Sequence, residues 1–111
     1  MLKDLSVKGF LDSVASGDPV PGGGSVSALC GGLAAALAEM VSRLTIGKTH
    51  DKAMEAKMIE IMETASKIRA ALTEDIDRDS NAYSNVMKAY KMPKETDQEK
   101  KERQKAIQEA L

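Results

Sequence analysis

Two carboxylates fall where an apolar seam should continue. Met54, Met58, Ile61, Ala65, Ile68 and Leu72 recur at alternating spacings of four and three, the pattern of a long helix with one buried seam. The same spacing carried forward lands on Asp75, Asp79, Ala82, Val86 and Ala89. An ionised carboxylate on a packed face costs on the order of several kcal/mol unless it is paired, hydrogen-bonded or protonated. Asp75 and Asp79, one turn apart, are therefore candidates for proton transfer. A competing register follows from helical drift, because a 3.6-residue turn slips against a 3.5-residue repeat. In that register Ile76, Tyr83 and Tyr90 carry the buried face after Leu72, and Asp75 lies at its edge. Asp79 sits three residues after Ile76 and four before Tyr83, so it stays near the face in either register. It is the first candidate for acid–base work, while Asp75 stays open between a site role and a solvated edge.

A second candidate is Gly22-Gly23-Gly24-Ser25, directly before a helix. Backbone N–H groups of such a loop, together with a helix N-terminus, can hold an anion. The alternative is a plain loop with Ser25 as N-cap. Two nucleotide motifs are excluded: the dinucleotide fingerprint needs glycine where Ser27 stands, and a phosphate loop ending in Gly47-Lys48-Thr49 needs glycine where Ser42 stands. Lys48 lies just past a helix C-terminus, where the dipole favours a cation by about 0.3–1 kcal/mol. His50 is the only histidine and falls in a connecting turn, without a second histidine or a cysteine nearby to build a metal site.

The elements that must position these groups are helical. Val7 to Ala15 reads as a first helix capped by Ser6, with Phe10, Leu11 and Val14 on one face. A second runs from near Ser25 to about Ile46, with Val26, Leu29, Leu33, Leu37, Met40 and Leu44 on its expected buried side. Ser27, Gly31, Ala35 and Ala28, Gly32, Ala36 repeat at four-residue spacing, which lets another backbone approach closely. Adjacent glycines inside a helix, each costing about 1 kcal/mol against alanine, point to tight packing or a ligand. Gly47 closes this helix, a long one runs from near Asp51 to before Pro93, and Thr96-Asp97-Gln98-Glu99 opens another with a capping box. The fold class is all-α: an antiparallel helical bundle with one long central helix.

Bulk properties agree. With 111 residues, 42% hydrophobic and 30% charged, the composition is that of a folded domain. Two tyrosines, one phenylalanine, no tryptophan and seven methionines imply a core of aliphatic and flexible side chains. A net charge of −1 gives no basic field for nucleic acid. The single Cys30 excludes an internal disulfide, fits a reducing compartment and reads as a packed helix residue. No signal-peptide pattern follows Met1, and Pro19 to Ala38 is too short in apolar residues to span a bilayer. The expected setting is cytoplasmic, with no membrane partner. A helix reaching Leu111 uncapped, and a long amphipathic helix with few partners, lead to the expectation that residues 1–111 are the N-terminal portion of a larger helical domain, dimer-forming. A non-catalytic helical interaction module, or an inactive fragment, is the alternative reading.

Taken together, Pro19-Val20-Pro21-Gly22-Gly23-Gly24-Ser25-Val26-Ser27-Ala28, then Met40-Val41 and Leu44-Thr45-Ile46-Gly47-Lys48, resemble the formiminotransferase-cyclodeaminase C-terminal domain family. Asp79-Ser80-Asn81-Ala82-Tyr83, with Val86-Met87 and Tyr90-Lys91-Met92-Pro93, resembles its second signature. Gly9 departs from the longer residue usual in the family's first helix. The resemblance implies folate one-carbon chemistry on an all-helical dimer. The expected reactions are cyclodeamination of 5-formiminotetrahydrofolate to 5,10-methenyltetrahydrofolate and hydrolysis of the methenyl bridge to 10-formyltetrahydrofolate. It implies no cofactor beyond the tetrahydrofolate substrate and no metal. Asp79 would act as general acid–base, Lys48 would meet a folate carboxylate or orient Asp79, and the Gly22–Ser25 loop would hold an anionic or carbonyl part of the folate. Asp75 would join the substrate site. Tyr83 would stack on the pterin or donate a hydrogen bond, with a core role as its alternative.

Overall fold

The computed structural model describes all 111 residues. A 3-10 turn at Leu2–Asp4 precedes four α-helices: α1 Val7–Ala15, α2 Gly23–Thr45, α3 Lys52–Tyr90 and α4 Asp97–Ala110, with no strand. The chain is all-α as expected. α3 runs unbroken for 39 residues, about 58 Å at 1.5 Å per residue. Local chemistry sets the ends. The Ser6 hydroxyl accepts the Gly9 N–H at 2.9 Å, Asp51 accepts from Ala53 and Met54 at 2.9 and 3.3 Å, and Thr96 accepts from Glu99 at 3.1 Å. Gly47 closes α2 at φ 83°, in the left-handed region that a side chain disfavours. One start differs from expectation: α2 begins at Gly23 behind Gly22, and Ser25 lies inside the first turn.

α2 and α3 form an antiparallel pair, with Ser25 against Ile76, Gly31 against Leu72, Glu39 against Arg69 and Gly47 against Glu55. The face that α2 turns to α3 is its small and polar one: Ser25, Ala28, Ala35, Glu39 and Ser42 are its buried residues. A Cβ on Gly31 would stand 2.9 Å from a Leu72 methyl, so the glycine permits the approach. This reverses the expectation for the apolar stripe. Leu33, Leu37 and Leu44 are 57%, 58% and 56% exposed, because they project from the side of α2 opposite α3. Only the front of the stripe is covered, where Val26, Leu29 and Leu2 pack on the core of Phe10, Ala28 and Ile76. Cys30, read as packed, is also exposed.

On α3 neither register holds throughout beyond Leu72: Ile76 of the drifting register is buried, but its Tyr83 and Tyr90 are exposed, and Ala89 of the strict repeat is buried. Ala65 and Ile76 are buried, while Met54 and Ile68 are largely exposed. Asp75 lies at the edge, with its carboxylate 2.7 Å from the Arg78 guanidinium. Asp77, which neither register singled out, is buried. Its carboxylate accepts the Leu2 and Lys3 N–H groups at 2.7 and 3.3 Å, and Lys3 pairs with Glu74 at 2.7 Å. The N-terminal turn is thereby fastened to α3. At the far end, Arg103 of α4 lies 5.3 Å from the Tyr90 ring centroid and donates to the Tyr90 carbonyl.

The assembly is long rather than round. Its radius of gyration is 20.6 Å, against about 13 Å for a compact domain of this length. Its surface is 7973 Å², against about 5,900 Å² for a compact monomer of this mass. The uncovered α2 stripe contributes to that excess. By length and composition alone α2 could cross a membrane, contrary to the reading of Pro19–Ala38, because the helix runs on to Thr45. Its buried face carries Glu39 and two serines against the charge-rich α3.

Glu39 anchors the middle of the pair. Both of its carboxylate oxygens accept from the Arg69 guanidinium, and Arg43 stands 3.9 Å away. The Arg69 hydrogen bond holds the Glu39 carboxyl below its ordinary value of 4.5, outweighing the opposing effect of desolvation. A lowered carboxyl stabilises the fold above its unfolded value, and that contribution is lost as pH falls through the folded value. The melting temperature should therefore drop as pH falls below 4.5. Glu39→Gln should melt lower at pH 7 and show a flatter decline over that acid range, measured by circular dichroism.

Candidate functional site

The start of α2 and the third quarter of α3 meet at one point, and Asp79 stands there. The Asp79 carboxylate lies directly over the Cα of Gly24: a Cβ at position 24 would overlap the carboxyl group and come within 2.6 Å of Oδ2. This contact requires glycine. The first intrahelical backbone bond of α2 runs from Val26 to Gly22, and Gly22 has no side chain with which to cap the turn. The N–H groups of Gly23, Gly24 and Ser25 therefore open the helix without side-chain capping, beside a carboxylate. The positive end of the helix dipole favours negative charge at this position.

A cavity of about 480 Å³ opens on one side of Asp79, lined by Gly22, Gly23, Ser80 and Tyr83 together with Pro19 and the end of α4. That volume suits a small-molecule ligand. On the other side a second hollow of about 410 Å³ is lined by Gly24, Asp75, Arg78 and Asp79. Tyr83 is partly exposed and faces the first cavity, one turn beyond Asp79. Asp79 itself is exposed, so the expectation of a packed carboxylate becomes that of a carboxylate walling two cavities.

Sequence-selected residues thus divide. Gly22, Gly23, Gly24, Asp79 and Tyr83 come together, with Asp75 at the margin. Ser25 is fully enclosed at 0% exposure, beneath the carboxylate rather than in the cavity. Lys48 is exposed past the opposite end of α2, roughly 35 Å away by helical rise, and does not meet Asp79 within one chain. Ser80 and Arg78 line the cavities without having been singled out. Both follow from the i−1 and i+1 neighbours of Asp79 once its place is known, but neither lies on a periodic stripe.

The chain matches known proteins over nearly its whole length. Residues 6–111 match the family model described as formiminotransferase-cyclodeaminase. The chain belongs to that family. A methenyltetrahydrofolate cyclohydrolase of Methylorubrum extorquens is 44% identical over 111 residues, covering 100% of this chain and 53% of its own. The formimidoyltransferase-cyclodeaminase of Mus musculus is 36% identical over 110 residues, 99% of this chain and 20% of its own. A crystal structure of formiminotetrahydrofolate cyclodeaminase from Thermotoga maritima matches with a TM-score of 0.75 at 35% identity, over 99% of this chain and 54% of that one. The chain therefore spans about half the length of the bacterial relatives it matches and a fifth of the mouse protein.

Gly24 and Asp79 should behave as a coupled pair. Gly24→Ala should lower the melting temperature, because the methyl displaces the carboxylate. In an Asp79→Ala background the same change should be neutral or stabilising, since alanine exceeds glycine in helix propensity by about 1 kcal/mol. Denaturant unfolding of the four variants should give a coupling of about 0.5–3 kcal/mol.

Proposed function

We propose that the protein is a folate one-carbon enzyme interconverting 5,10-methenyltetrahydrofolate with 5-formimino- or 10-formyltetrahydrofolate. The observation that carries this reading is the Asp79 carboxylate seated on Gly24 at the start of α2, beside a ligand-sized cavity, in a chain of this family. Both reactions pass through a tetrahedral carbon flanked by nitrogen. In cyclodeamination N10 attacks the formimino carbon, a proton is delivered to the departing nitrogen, and ammonia leaves. In hydrolysis a water loses its proton as it adds to the methenyl carbon, and the C–N5 bond opens as N5 takes a proton. A positioned carboxyl serves each transfer and contributes about 10²–10⁴-fold. Asp79 takes that role, the Gly22–Gly24 backbone holds an anionic or carbonyl part of the folate, and Tyr83 stacks on the pterin or donates to it. Asp75 orders the margin of the site through Arg78. No cofactor beyond the tetrahydrofolate substrate is invoked.

The working unit in this reading is a cytoplasmic homodimer, with residues 1–111 the N-terminal portion of one helical domain and without nucleic-acid or membrane partners. The exposed Leu33–Leu44 stripe supports self-association, since isologous contacts bury the same patch on both copies. Antiparallel packing of two α2 helices about a two-fold near mid-helix brings the end of one beside the start of the other. Lys48 of a second copy then lies at the same end of the molecule as Asp79, where it could reach a folate bound there. The alternative of a non-catalytic interaction module rests on the same stripe and predicts association without turnover.

Turnover of the intact protein on both folates, followed by absorbance of the methenyl group, separates these readings. Asp79→Asn should lose at least about a hundredfold in kcat while folding normally. Wild-type turnover in that variant would remove Asp79 from the mechanism. Mixing inactive Asp79→Asn with inactive Lys48→Ala should restore part of the activity if the site is shared between copies. Sedimentation at micromolar concentration should give a dimer that Leu37→Glu dissociates.

A further inference from the structure

Ser25 is fully enclosed, so it does not hold a ligand directly. Its hydroxyl donates to the Ile76 carbonyl at 2.7 Å, and its oxygen lies 3.5 Å from Asp79 Oδ2. Ile76 lies inside α3, where its carbonyl also takes the N–H four residues on. The bond from Ser25 is therefore not needed to satisfy that carbonyl. A buried hydroxyl costs free energy unless hydrogen-bonded, and alanine would fill the same close α2–α3 contact without that cost. The feature that distinguishes serine here is the second partner, Asp79.

We infer that Ser25 is a positioning residue for Asp79, holding the carboxyl over Gly24 through both of its protonation states. This rests on the reading of Asp79 as the acid–base group. A hydroxyl carries one hydrogen and two lone pairs. Facing an ionised Asp79, the Ser25 hydrogen turns from the Ile76 carbonyl to Oδ2. Facing a protonated Asp79, the Ser25 oxygen accepts the carboxyl hydrogen and keeps its own on Ile76. No proton is gained or lost by Ser25, and the proton exchanged with substrate is carried by Asp79 alone. The 3.5 Å separation is longer than the ordinary range of an O–H···O hydrogen bond, so a rotation about the broad χ2 of aspartate is required to bring the two groups together. Gly24 leaves room for the carboxyl, and Ser25 supplies the polar partner that fixes its orientation.

The test compares Ser25→Ala, Ser25→Thr and Asp79→Asn in the intact protein. Readouts are kcat, KM and the pH–rate profile on 5-formimino- and 5,10-methenyltetrahydrofolate, with melting temperature alongside. Ser25→Ala should lower kcat about tenfold, a fraction of the whole acid–base contribution, leave KM within about twofold, and displace the limb of the profile that Asp79→Asn abolishes. Ser25→Thr, which restores the hydroxyl, should recover most of the rate and the wild-type profile. Should Ser25→Ala not fold, Ser25→Cys, a somewhat larger side chain with a much weaker donor, should show the same kcat loss. Wild-type kcat in Ser25→Ala beside a crippled Asp79→Asn would overturn the role of Ser25 and leave that of Asp79 standing. A loss that only tracks the folded fraction, with an unmoved pH profile, would overturn it equally. Full activity in Asp79→Asn would overturn both.

Discussion

The close approach of α2 to α3 is the constraint on which the rest of the molecule depends. It is possible because one face of α2 carries almost no side-chain bulk. Gly24 admits the Asp79 carboxylate, Gly31 admits a Leu72 methyl, and Ala28 and Ala35 fill the contact between and beyond them. Each interior glycine weakens the helix intrinsically, and the weakening is offset only where a neighbour occupies the vacated space. Van der Waals contact at short interhelical distance supplies that compensation. Few aromatic side chains take part: Phe10 is the one aromatic in the buried core.

Polar groups distribute themselves along the seam by the same logic. A narrow interface excludes water, so every buried hydroxyl or carboxylate must find a protein partner. Ser25 finds the Ile76 carbonyl, Glu39 finds Arg69 and Arg43, and Asp77 finds the first backbone N–H groups of the chain. No buried side-chain polar atom is left without one. The Ser25 and Glu39 pairs lie at separated points along the antiparallel α2 and α3. A sliding displacement of one turn would break both together, so they specify register where small apolar residues alone would not.

The same geometry creates the site. An uncapped helix start on α2 and a carboxylate on the adjoining helix bring backbone donors and the Asp79 side chain close together, with cavities on both flanks. The cost appears elsewhere. Turning its small face inward leaves α2 with Leu33, Leu37 and Leu44 directed to solvent. A helix has only one circumference, and a face chosen for closeness to α3 cannot also be the face chosen for apolar area.

Local chemistry determined the elements. Ser6, Asp51 and Thr96 cap helices as their side chains require, Gly47 takes the left-handed turn, and the unbroken periodicity from Met54 onward gives one long α3. The clustering of Gly22–Gly24 with Asp79 and Tyr83 was legible through the family resemblance carried by those motifs. Tertiary structure decided which faces meet. Periodicity marks an apolar stripe but not its partner, so it points the leucines of α2 inward, whereas the small face wins by closer packing. It also decided that Ile76 rather than Asp75 continues the seam, since helical drift is settled by contact with α2. The burial of Ser25 and Asp77, the pairing of Glu39 with Arg69 and the distance of Lys48 from Asp79 are likewise products of two helices fitted in one register. Each depends on residues some thirty to seventy-five positions apart, a separation over which sequence spacing carries no geometric information.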